Sequence, residues 1–386
     1  MRPDPELRVW LGAHPVTYPL VRGIARLGPV VRVPRVGVVV SDAALAREVL
    51  LDTERFTKTG PGSPADLWTP VVGPSVLLNM EGRAHARLRR TLSGLFTPRA
   101  VGELCARVAA PQLGELRAEL AAGRAVDVVA AAKRLAGAVI AELVGLDPLR
   151  AAEAFAAASA ITGVVQLARP RLTAQQVAQG RAALARLTGP AVTAYRAGDP
   201  ATVPGRMREL GLTEEEALGA VAAFALTGTE TLVSYVPRLA ALAAGSGWLE
   251  RLAADPSWTD AVIAEGLRVT VPSPVMLRSV TAPARIGGTA VRPGERVVIA
   301  TVSAAQGGDR RFDPQRRPAQ QVAGLWFGAG PHFCLGMPLA LAEIRALLDV
   351  LVTAAPLEIV RRRVARRVLI PGYRELLVRR RACGMS

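Results

Sequence analysis

Near the end of the 386-residue chain stands the sequence Phe327-Gly-Ala-Gly-Pro-His-Phe-Cys-Leu-Gly336, which places one cysteine in a glycine-rich loop. An alanine- and leucine-rich stretch, residues 338–348, follows at once and predicts a helix. The free amides and the dipole of a helix start stabilise a nearby thiolate, so we expect a lowered pKa and metal binding at Cys334. Glycines 328, 330 and 336 allow a sharp turn and a close approach to a flat, bulky group.

A lone cysteine in a turn is more often a buried free thiol than a ligand. The complete spacing F-G-x-G-x-H-x-C-x-G, however, resembles the haem-binding loop of the cytochrome P-450 monooxygenases. The resemblance implies haem b with its iron ligated by the Cys334 thiolate. It also places Phe327 and Gly336 at the cofactor, and His332 can offer a hydrogen bond or a charge to an anionic group.

The composition favours a helical protein. Half of the residues are apolar but only 4% are aromatic, so the core must consist mostly of Ala, Leu and Val. The first eight residues contain no apolar run typical of a signal peptide. The longest uncharged helical stretch, residues 217–229, is shorter than the ~20 residues that span a bilayer. Cys105, Cys334 and Cys383 form no CxxC pair. We expect a soluble, cytoplasmic protein.

The net charge is +16, and almost all of the basic residues are arginines. The densest clusters, residues 361–367 and 379–381, lie in the C-terminal tail region. Nucleic-acid binding is disfavoured, because the arginines are spread along the chain without an aromatic platform for single strands. Two interpretations stay open: a solvated surface that reflects arginine-rich codon usage, or an electropositive face for an acidic protein partner.

The N-terminal region, about residues 18–60, predicts a short helix, a hairpin of two valine-rich strands around residues 34–36, and a helix over residues 43–51 that Ser41-Asp42 caps. This order resembles the N-terminal sheet region of bacterial members of the same family. Residues 60–78 are rich in Pro and Gly and predict a long loop. In the family such a loop lies over the substrate cavity.

His85 and Arg89 are four residues apart and share one helix face, where they suit a pair of carboxylates. By itself H-x-x-x-R usually means an exposed basic helix. The following Leu95-Phe-Thr-Pro-Arg99 makes the segment similar to the family helix whose His and Arg hold the haem propionates. Asn79-Met-Glu-Gly82 replaces the Asp-Pro-Pro that often precedes that helix.

Residues 100–200 are alanine-rich and helical, and they show no catalytic constellation. By resemblance, residues from about 155 to 200 form a mobile pair of helices over the substrate site. Pro- and Gly-containing breaks are predicted at Asp147-Pro148, Arg169-Pro170, Gly189-Pro190 and Gly198-Asp-Pro200.

A capping box from Thr213 to Glu216 opens a helix that runs to about residue 244 and is apolar almost all round, so it must be buried. Thr227-Gly-Thr-Glu-Thr231 interrupts its middle. A buried Glu230 needs a partner or a function. The pattern resembles the family's A-G-x-E/D-T segment, in which Gly228 makes room for dioxygen and Glu230 and Thr231 relay protons. Thr227 replaces the usual small apolar residue, and Pro237 predicts a kink.

Glu265 and Arg268 fit E-x-x-R, which usually marks a surface ion pair. Here they resemble the family's buried pair that braces the cysteine loop. Arg278, in a short strand, matches the family arginine that reaches the propionates, and residues 275–277 are expected to face the substrate. Residues 284–300 predict a hairpin sheet. Gln306-Gly-Gly308 replaces an expected Asn-Arg-Asp.

The resemblance covers nearly the whole chain and implies one mainly helical domain, residues 1–386, with a small β region. Its helical core is expected at about residues 81–268 and its haem-thiolate loop at residues 327–336. The implied activity is O2-dependent oxidation of a small hydrophobic secondary metabolite by a monomer, with electrons from NAD(P)H through a ferredoxin reductase and a ferredoxin.

Other functions remain open from the sequence. The oxidation could be a coupling or a desaturation rather than a hydroxylation. A peroxide-driven enzyme is expected to lack the acid–threonine pair, so Glu230 and Thr231 favour the use of O2. A haem-based sensor, binding protein or electron carrier has no need of that pair.

Overall fold

The computed structural model describes residues 4–165 and 171–381, and the predicted break at Arg169-Pro170 and Cys383 lie outside these ranges. Helices dominate the described residues, as predicted. The α-helices are α1 Pro5–Ala13, α2 Thr17–Leu27, α3 Ala43–Leu51, α4 Pro64–Val72, α5 Gly82–Leu92, α6 Pro98–Leu104, α7 Ala110–Ala121, α8 Val128–Leu143, α9 Ala151–Gly163, α10 Ala174–Ala197, α11 Val203–Glu209, α12 Glu214–Thr227, α13 Glu230–Gly245, α14 Trp248–Ala254, α15 Thr259–Thr270, α16 Thr301–Gln306 and α17 Met337–Thr353.

Ten strands in the described ranges form three small sheets. They are β1 Val30–Val33, β2 Gly37–Val40, β3 Phe56–Thr57, β4 Val126–Asp127, β5 Met276–Val280, β6 Ala284–Ile286, β7 Thr289–Val291, β8 Arg296–Ile299, β9 Leu357–Val364 and β10 Tyr373–Arg380. The largest sheet has the order β1-β2-β8-β5-β3, and β4-β10-β9 and β6-β7 form the other two.

The N-terminal region follows the sequence prediction closely. Strands β1 and β2 form the expected antiparallel hairpin, with Val31 opposite Val39. The side chain of Asp42 accepts hydrogen bonds from the amides of Ala44 and Leu45 and so caps α3. The hairpin joins the large sheet through a parallel pairing of β2 with β8, which ties the N-terminal region to the strands near the cysteine loop.

The predicted loop at residues 60–78 is wrong in its middle, because α4 forms there. Pro64 occupies the first helical turn, where its missing N–H is no loss. Trp68, Val71 and Val72 are buried in the main core. The signal for a loop came from the prolines and glycines, but burial of this apolar face outweighs the cost of Pro70 inside the helix.

Helices α12 and α13 form the central helical run, and the capping box at Thr213 is present with both of its hydrogen bonds. The run is interrupted at Gly228-Thr229, whereas the helix continues through Pro237. By length and composition, residues Glu214–Gly245 could cross a membrane, but 67% of the most apolar window is buried inside the protein. This burial is the pattern of a core helix.

The arginine clusters lie mostly on the β9–β10 hairpin and not in a free tail. Glu375 on β10 pairs with Arg361 at 2.7 Å and with Arg363 at 3.4 Å across the hairpin. Glu358 on β9 pairs with Arg379 at 2.5 Å. Part of the charge that looked unbalanced in the sequence is therefore compensated by cross-strand partners.

Glu265 and Arg268 form a buried pair and not a surface one. The guanidinium of Arg268 holds the Glu265 carboxylate through two bonds of 2.7 and 2.8 Å. Arg268 also donates to the carbonyl oxygens of Asp309 and Arg311 at 2.8 and 3.0 Å. The pair thus fixes the segment that leads toward the cysteine loop, and its geometry satisfies both charges.

A second buried carboxyl group lies on α17, the helix that follows Cys334. Glu343 is 4% exposed, and its Oε1 has no hydrogen-bond partner within the described part of the chain. Burial raises the pKa of Glu343 to about 8, so the folded protein holds this group in its neutral form at pH 7.

We expect Glu343 to make stability depend on pH. Its pKa is about 8 in the folded protein, against an ordinary value of 4.5, so the unfolded chain loses the proton first as the pH rises. The contribution of Glu343 to stability should therefore be fully present below pH 4.5 and should be lost up to about pH 8, by about 1.4 kcal/mol per pH unit. Glu343→Gln should remove that slope, as measured by urea unfolding across this interval.

Glu103→Gln, at an exposed carboxylate on α6, is the matched control and should keep the wild-type slope. Parallel pH profiles for Glu343→Gln and wild type would show that Glu343 is not the titrating group.

Candidate active site

The cysteine loop is built by two glycines and one backbone hydrogen bond. The amide of Cys334 donates to the carbonyl oxygen of Phe327 at 2.9 Å and closes the loop. Gly328 and Gly330 have φ angles of +83° and +65°, which other residues rarely adopt. Gly336 has a φ of −81°, which any residue can adopt. The backbone conformation therefore requires glycine at Gly328 and Gly330 but not at Gly336.

Cys334 is exposed, and α17 begins three residues later. Burial by the surrounding protein raises the pKa of its thiol, although the amides of Gly336 and Met337 and the charge of Arg89 lower it. For the free thiol, shielding by the neighbouring groups outweighs the helix-start amides, so its pKa lies above the ordinary value and not below it as the sequence predicted. The same amides are placed to hydrogen-bond a coordinated thiolate.

Cationic side chains from three elements converge beside this loop. Arg89 of α5 donates to the carbonyl oxygen of Phe333 at 2.5 Å. The rings of His85 and His332 lie 4.2 Å apart, centroid to centroid. Arg278 of β5 is 2% exposed. The structure thus brings together His85, Arg89 and Arg278, which the resemblance assigned to the haem propionates, and His332, which was expected to serve an anionic group.

A buried donor in this group points to an anionic ligand. Nε of Arg278 has no hydrogen-bond partner among the described residues. Nδ1 of His332 is also unpaired there, but Nε2 of that ring donates to Glu81, so the neutral ring leaves Nδ1 as an acceptor. Leaving a buried donor unpaired is costly, and the carboxylates of haem b are acceptors of the required charge. Burial, reinforced by the charges of His332 and Lys58, lowers the pKa of His85 to about 4, so it is a neutral donor or acceptor. The residues therefore fit the cofactor.

Sequence reasoning missed two members of the cluster, Glu81 and Lys58. Glu81 accepts hydrogen bonds from Nε2 of His332 and from the amide of Lys58, each at 2.6 Å. Burial raises the pKa of Glu81, but these bonds together hold it below its usual value. An acidic residue four places before His85 was a visible signal. Lys58 could have been singled out by composition, because it is one of only two lysines in the chain.

Two adjacent residues in the middle of the central helical run are exposed to solvent. Thr227 and Gly228 are exposed, although Leu226 before them and Thr229 after them are buried. A Cβ added to Gly228 would lie 2.8 Å from the carbonyl oxygen of Phe224, so a larger residue would disturb the helix here. Because Thr227 and Gly228 are exposed, the helix presents open space at the predicted oxygen-binding segment.

Glu230 is partly buried, and its partner is a hydroxyl group rather than an arginine. Ser159 of α9 donates to Oε1 of Glu230 at 2.6 Å. The hydroxyls of Thr227 and Thr231 donate to the carbonyl oxygens four residues earlier, at 2.7 and 3.2 Å. Each threonine oxygen thus keeps lone pairs that can accept a hydrogen bond from a group in the open space.

Aromatic packing connects the cysteine loop with the central helix. The rings of Phe96 and Phe224 meet edge to face, 5.7 Å apart between centroids. A Cβ on Gly336 would lie 3.9 Å from the Phe96 ring. Phe96 therefore lies between Gly336, the last residue of the cysteine loop, and Phe224, one turn before Gly228 in the central helix.

A mainly helical fold and a cysteine loop beside a cationic cluster define a haem-thiolate protein. The sequence model described as cytochrome P450 matches residues 256–359. The chain is 30% identical to the erythromycin C-12 hydroxylase of Saccharopolyspora erythraea over 325 residues, which cover 78% of this chain and 77% of that protein. It is 31% identical to cytochrome P-450 monooxygenase DoxA of Streptomyces sp. (strain C5) over 369 residues, 85% of each.

A solved structure, a mutant of P450 EryK in complex with erythromycin B, superposes with a TM-score of 0.81 at 24% identity and covers 96% of this chain and 97% of that one. The chain belongs to the cytochrome P450 family. It is a monooxygenase with cysteine-ligated haem iron.

Proposed function

We propose that Cys334 is the haem ligand and that the enzyme uses O2 to oxidise a small hydrophobic secondary metabolite with electrons from a ferredoxin-type partner. One observation carries the proposal: Cys334, with helix-start amides at its sulfur, adjoins a basic cluster in which the buried Nε of Arg278 lacks an acceptor. When bound, thiolate-ligated haem supplies the oxygen activation. We further propose a soluble, cytoplasmic monomer whose whole chain is one domain.

The substrate class is supported by the apolar strand beside the cluster and by the nature of the relatives. Val275 is 39% exposed and leads into β5, which carries Arg278 at the cofactor. One relative is named erythromycin C-12 hydroxylase. Coupling or desaturation of a small hydrophobic metabolite is the second candidate, since the same site would serve it.

The protein's own residues bind the cofactor and deliver protons. His85, Arg89, Arg278 and His332 would bind the propionates of the haem, and Phe327 and Gly336 would line its site. Glu230 exchanges protons with solvent, and its bond to Ser159 fixes the carboxylate. Thr231 accepts a hydrogen bond in the open space and orders the proton transfer. The presence of this pair favours O2 over a peroxide-driven reaction.

The ligand assignment predicts a thiolate-type Soret position in the ferrous–carbon monoxide spectrum, with one haem per chain. Cys334→Ser should lose that position, because an alcohol oxygen cannot replace the electron-rich sulfur. Cys105→Ser is the matched control, at a thiol whose pKa burial raises to about 11, and should keep the spectrum. A Cys334→Ser protein that retains the thiolate spectrum would overturn the assignment.

The proton relay predicts different defects for its two members. Thr231→Ala should still consume NAD(P)H and O2 but release more hydrogen peroxide and less product, because proton delivery is poorly ordered. Glu230→Gln should slow O2 consumption itself, by up to about 10²-fold, the lower range for proton-transfer groups. The measurements are O2 uptake, peroxide release and product formed per NAD(P)H.

Thr229→Val provides a matched control, because Thr229 is fully buried and its hydroxyl has no partner in the described structure. The double change Thr227→Ala with Thr231→Ala tests whether the hydroxyl of Thr227 substitutes. Full coupling in both Thr231→Ala and the double variant would exclude the threonines from the relay.

Docking of an acidic ferredoxin predicts salt-sensitive turnover, since screening shortens electrostatic steering to ~8 Å at physiological ionic strength. Arg83 and Arg90 are exposed on α5. This helix is joined to the cysteine loop by the hydrogen bond from Arg89 to Phe333. Reversing both charges should slow turnover by about tenfold at low salt. Reversing the exposed Arg374 and Arg380 of β10 is the control and should have little effect. If turnover does not fall with added salt while coupling stays constant, the surface arginines reflect codon usage and do not serve to dock a partner.

A further inference from the structure

Lys58 lies directly beside the cationic cluster, at a position that the family motifs do not include. Strand β3 pairs antiparallel with β5, with Phe56 opposite Val280 and Thr57 opposite Ser279. One residue further, this register places Lys58 opposite Arg278. Side chains of opposed residues lie on the same face of a sheet, about 5 Å apart at Cβ.

Like charges in such a position repel each other, and no carboxylate within the described residues pairs with the ammonium group of Lys58. Glu81 is the nearest anion, but its oxygens are occupied by the amide of Lys58, the hydroxyl of Thr57 and the ring of His332. Arg278 likewise keeps a buried donor without an acceptor. Lys58 and Arg278 are therefore adjacent basic groups that lack a sufficient anionic partner among the described residues.

The electrostatics agree with this geometry. Burial, followed by the charge of Arg278, lowers the pKa of Lys58 to about 7, while Glu81 opposes the shift. The same group interacts with the charges of Arg89 and Cys334. An ammonium group in this position would be stabilised by a carboxylate brought in by a ligand.

The sequence adds an independent observation. Of 48 basic residues other than histidine, only Lys58 and Lys133 are lysines. Lys133 is exposed and lies over the ring of Phe155 at 5.9 Å, far along the chain on α8. Lysine presents a compact charge on a flexible stem, whereas the planar fork of arginine needs more room.

We propose that Lys58 is a further cofactor-binding residue, whose ammonium group pairs with the haem propionate that Arg278 also binds. The proposal rests on the haem site described above and adds a fifth side chain to its carboxylate-binding set.

The first test measures haem release from the holoenzyme to an excess of apomyoglobin. Lys58→Met should release haem about tenfold faster or more, as expected when a charged hydrogen bond is lost. Lys58→Arg keeps the charge but places a wider group in the site, so it should restore only part of the retention. Lys133→Met, the matched control, should release haem at the wild-type rate. Equal release from Lys58→Met and wild type overturns the proposal.

The second test needs no variant. Wild-type protein is loaded with haem or with haem dimethyl ester, pulsed with an amine-acetylating reagent and analysed by mass spectrometry. The proposal requires acetylation of Lys58 to be about tenfold slower with haem than with the ester, while acetylation of Lys133 is the same in both. Equal acetylation of Lys58 in both forms overturns it, even if Lys58→Met fails to fold.

The two tests separate this inference from the proposed function. A haem-loaded protein with the thiolate spectrum in which Lys58 is not protected overturns the role of Lys58 and leaves the haem ligand in place. A wild-type protein that cannot bind haem overturns both.

Discussion

Positive charge gathered beside Cys334 is the constraint on which this site depends. Arg89, Arg278 and Lys58 come from three separate elements, and among the described residues Glu81 supplies the carboxylate that is hydrogen-bonded beside them. Concentrating like charges in a partly buried place costs free energy, so the arrangement is stable only with an anionic ligand or with strong support from the rest of the fold. Because such a ligand binds the folded chain and not the unfolded one, its binding energy adds to stability.

Support for this arrangement comes from the buried pair Glu265–Arg268. Its guanidinium donates to the backbone of residues 309 and 311, which lead toward the cysteine loop. On the other side, the bond from Arg89 to the Phe333 carbonyl ties α5 to the loop itself. Arg89 thus holds the loop directly and Arg268 holds the segment that leads toward it, both through charged hydrogen bonds, which are about twice as strong as neutral ones.

The sequence predicted the parts of this structure that depend on local rules. The caps at Asp42 and Thr213 and the hairpin around residues 34–36 formed as expected. Helix α4 could not be predicted, because its stability comes from burying Trp68 and its neighbours against distant helices. The partner of Glu230, Ser159, was also hidden, since it lies 71 positions away and no spacing rule connects the two residues. The predicted lowering of the Cys334 pKa was wrong for a similar reason. The amides at the helix start can be predicted from the sequence, whereas the shielding of the thiol by the surrounding protein cannot.

The bond between Ser159 and Glu230 has a consequence for how substrate and proton delivery are related. Ser159 belongs to α9, one of the two helices that the family resemblance places over the substrate, and Glu230 begins α13 in the core. At 2.6 Å the bond tolerates little displacement, because hydrogen bonds weaken steeply with distance and angle. In the proposed relay, a shift of α9 that lengthened this bond would therefore free the Glu230 carboxylate. The position of α9 and the availability of Glu230 for proton transfer would then be coupled through the single hydroxyl group of Ser159.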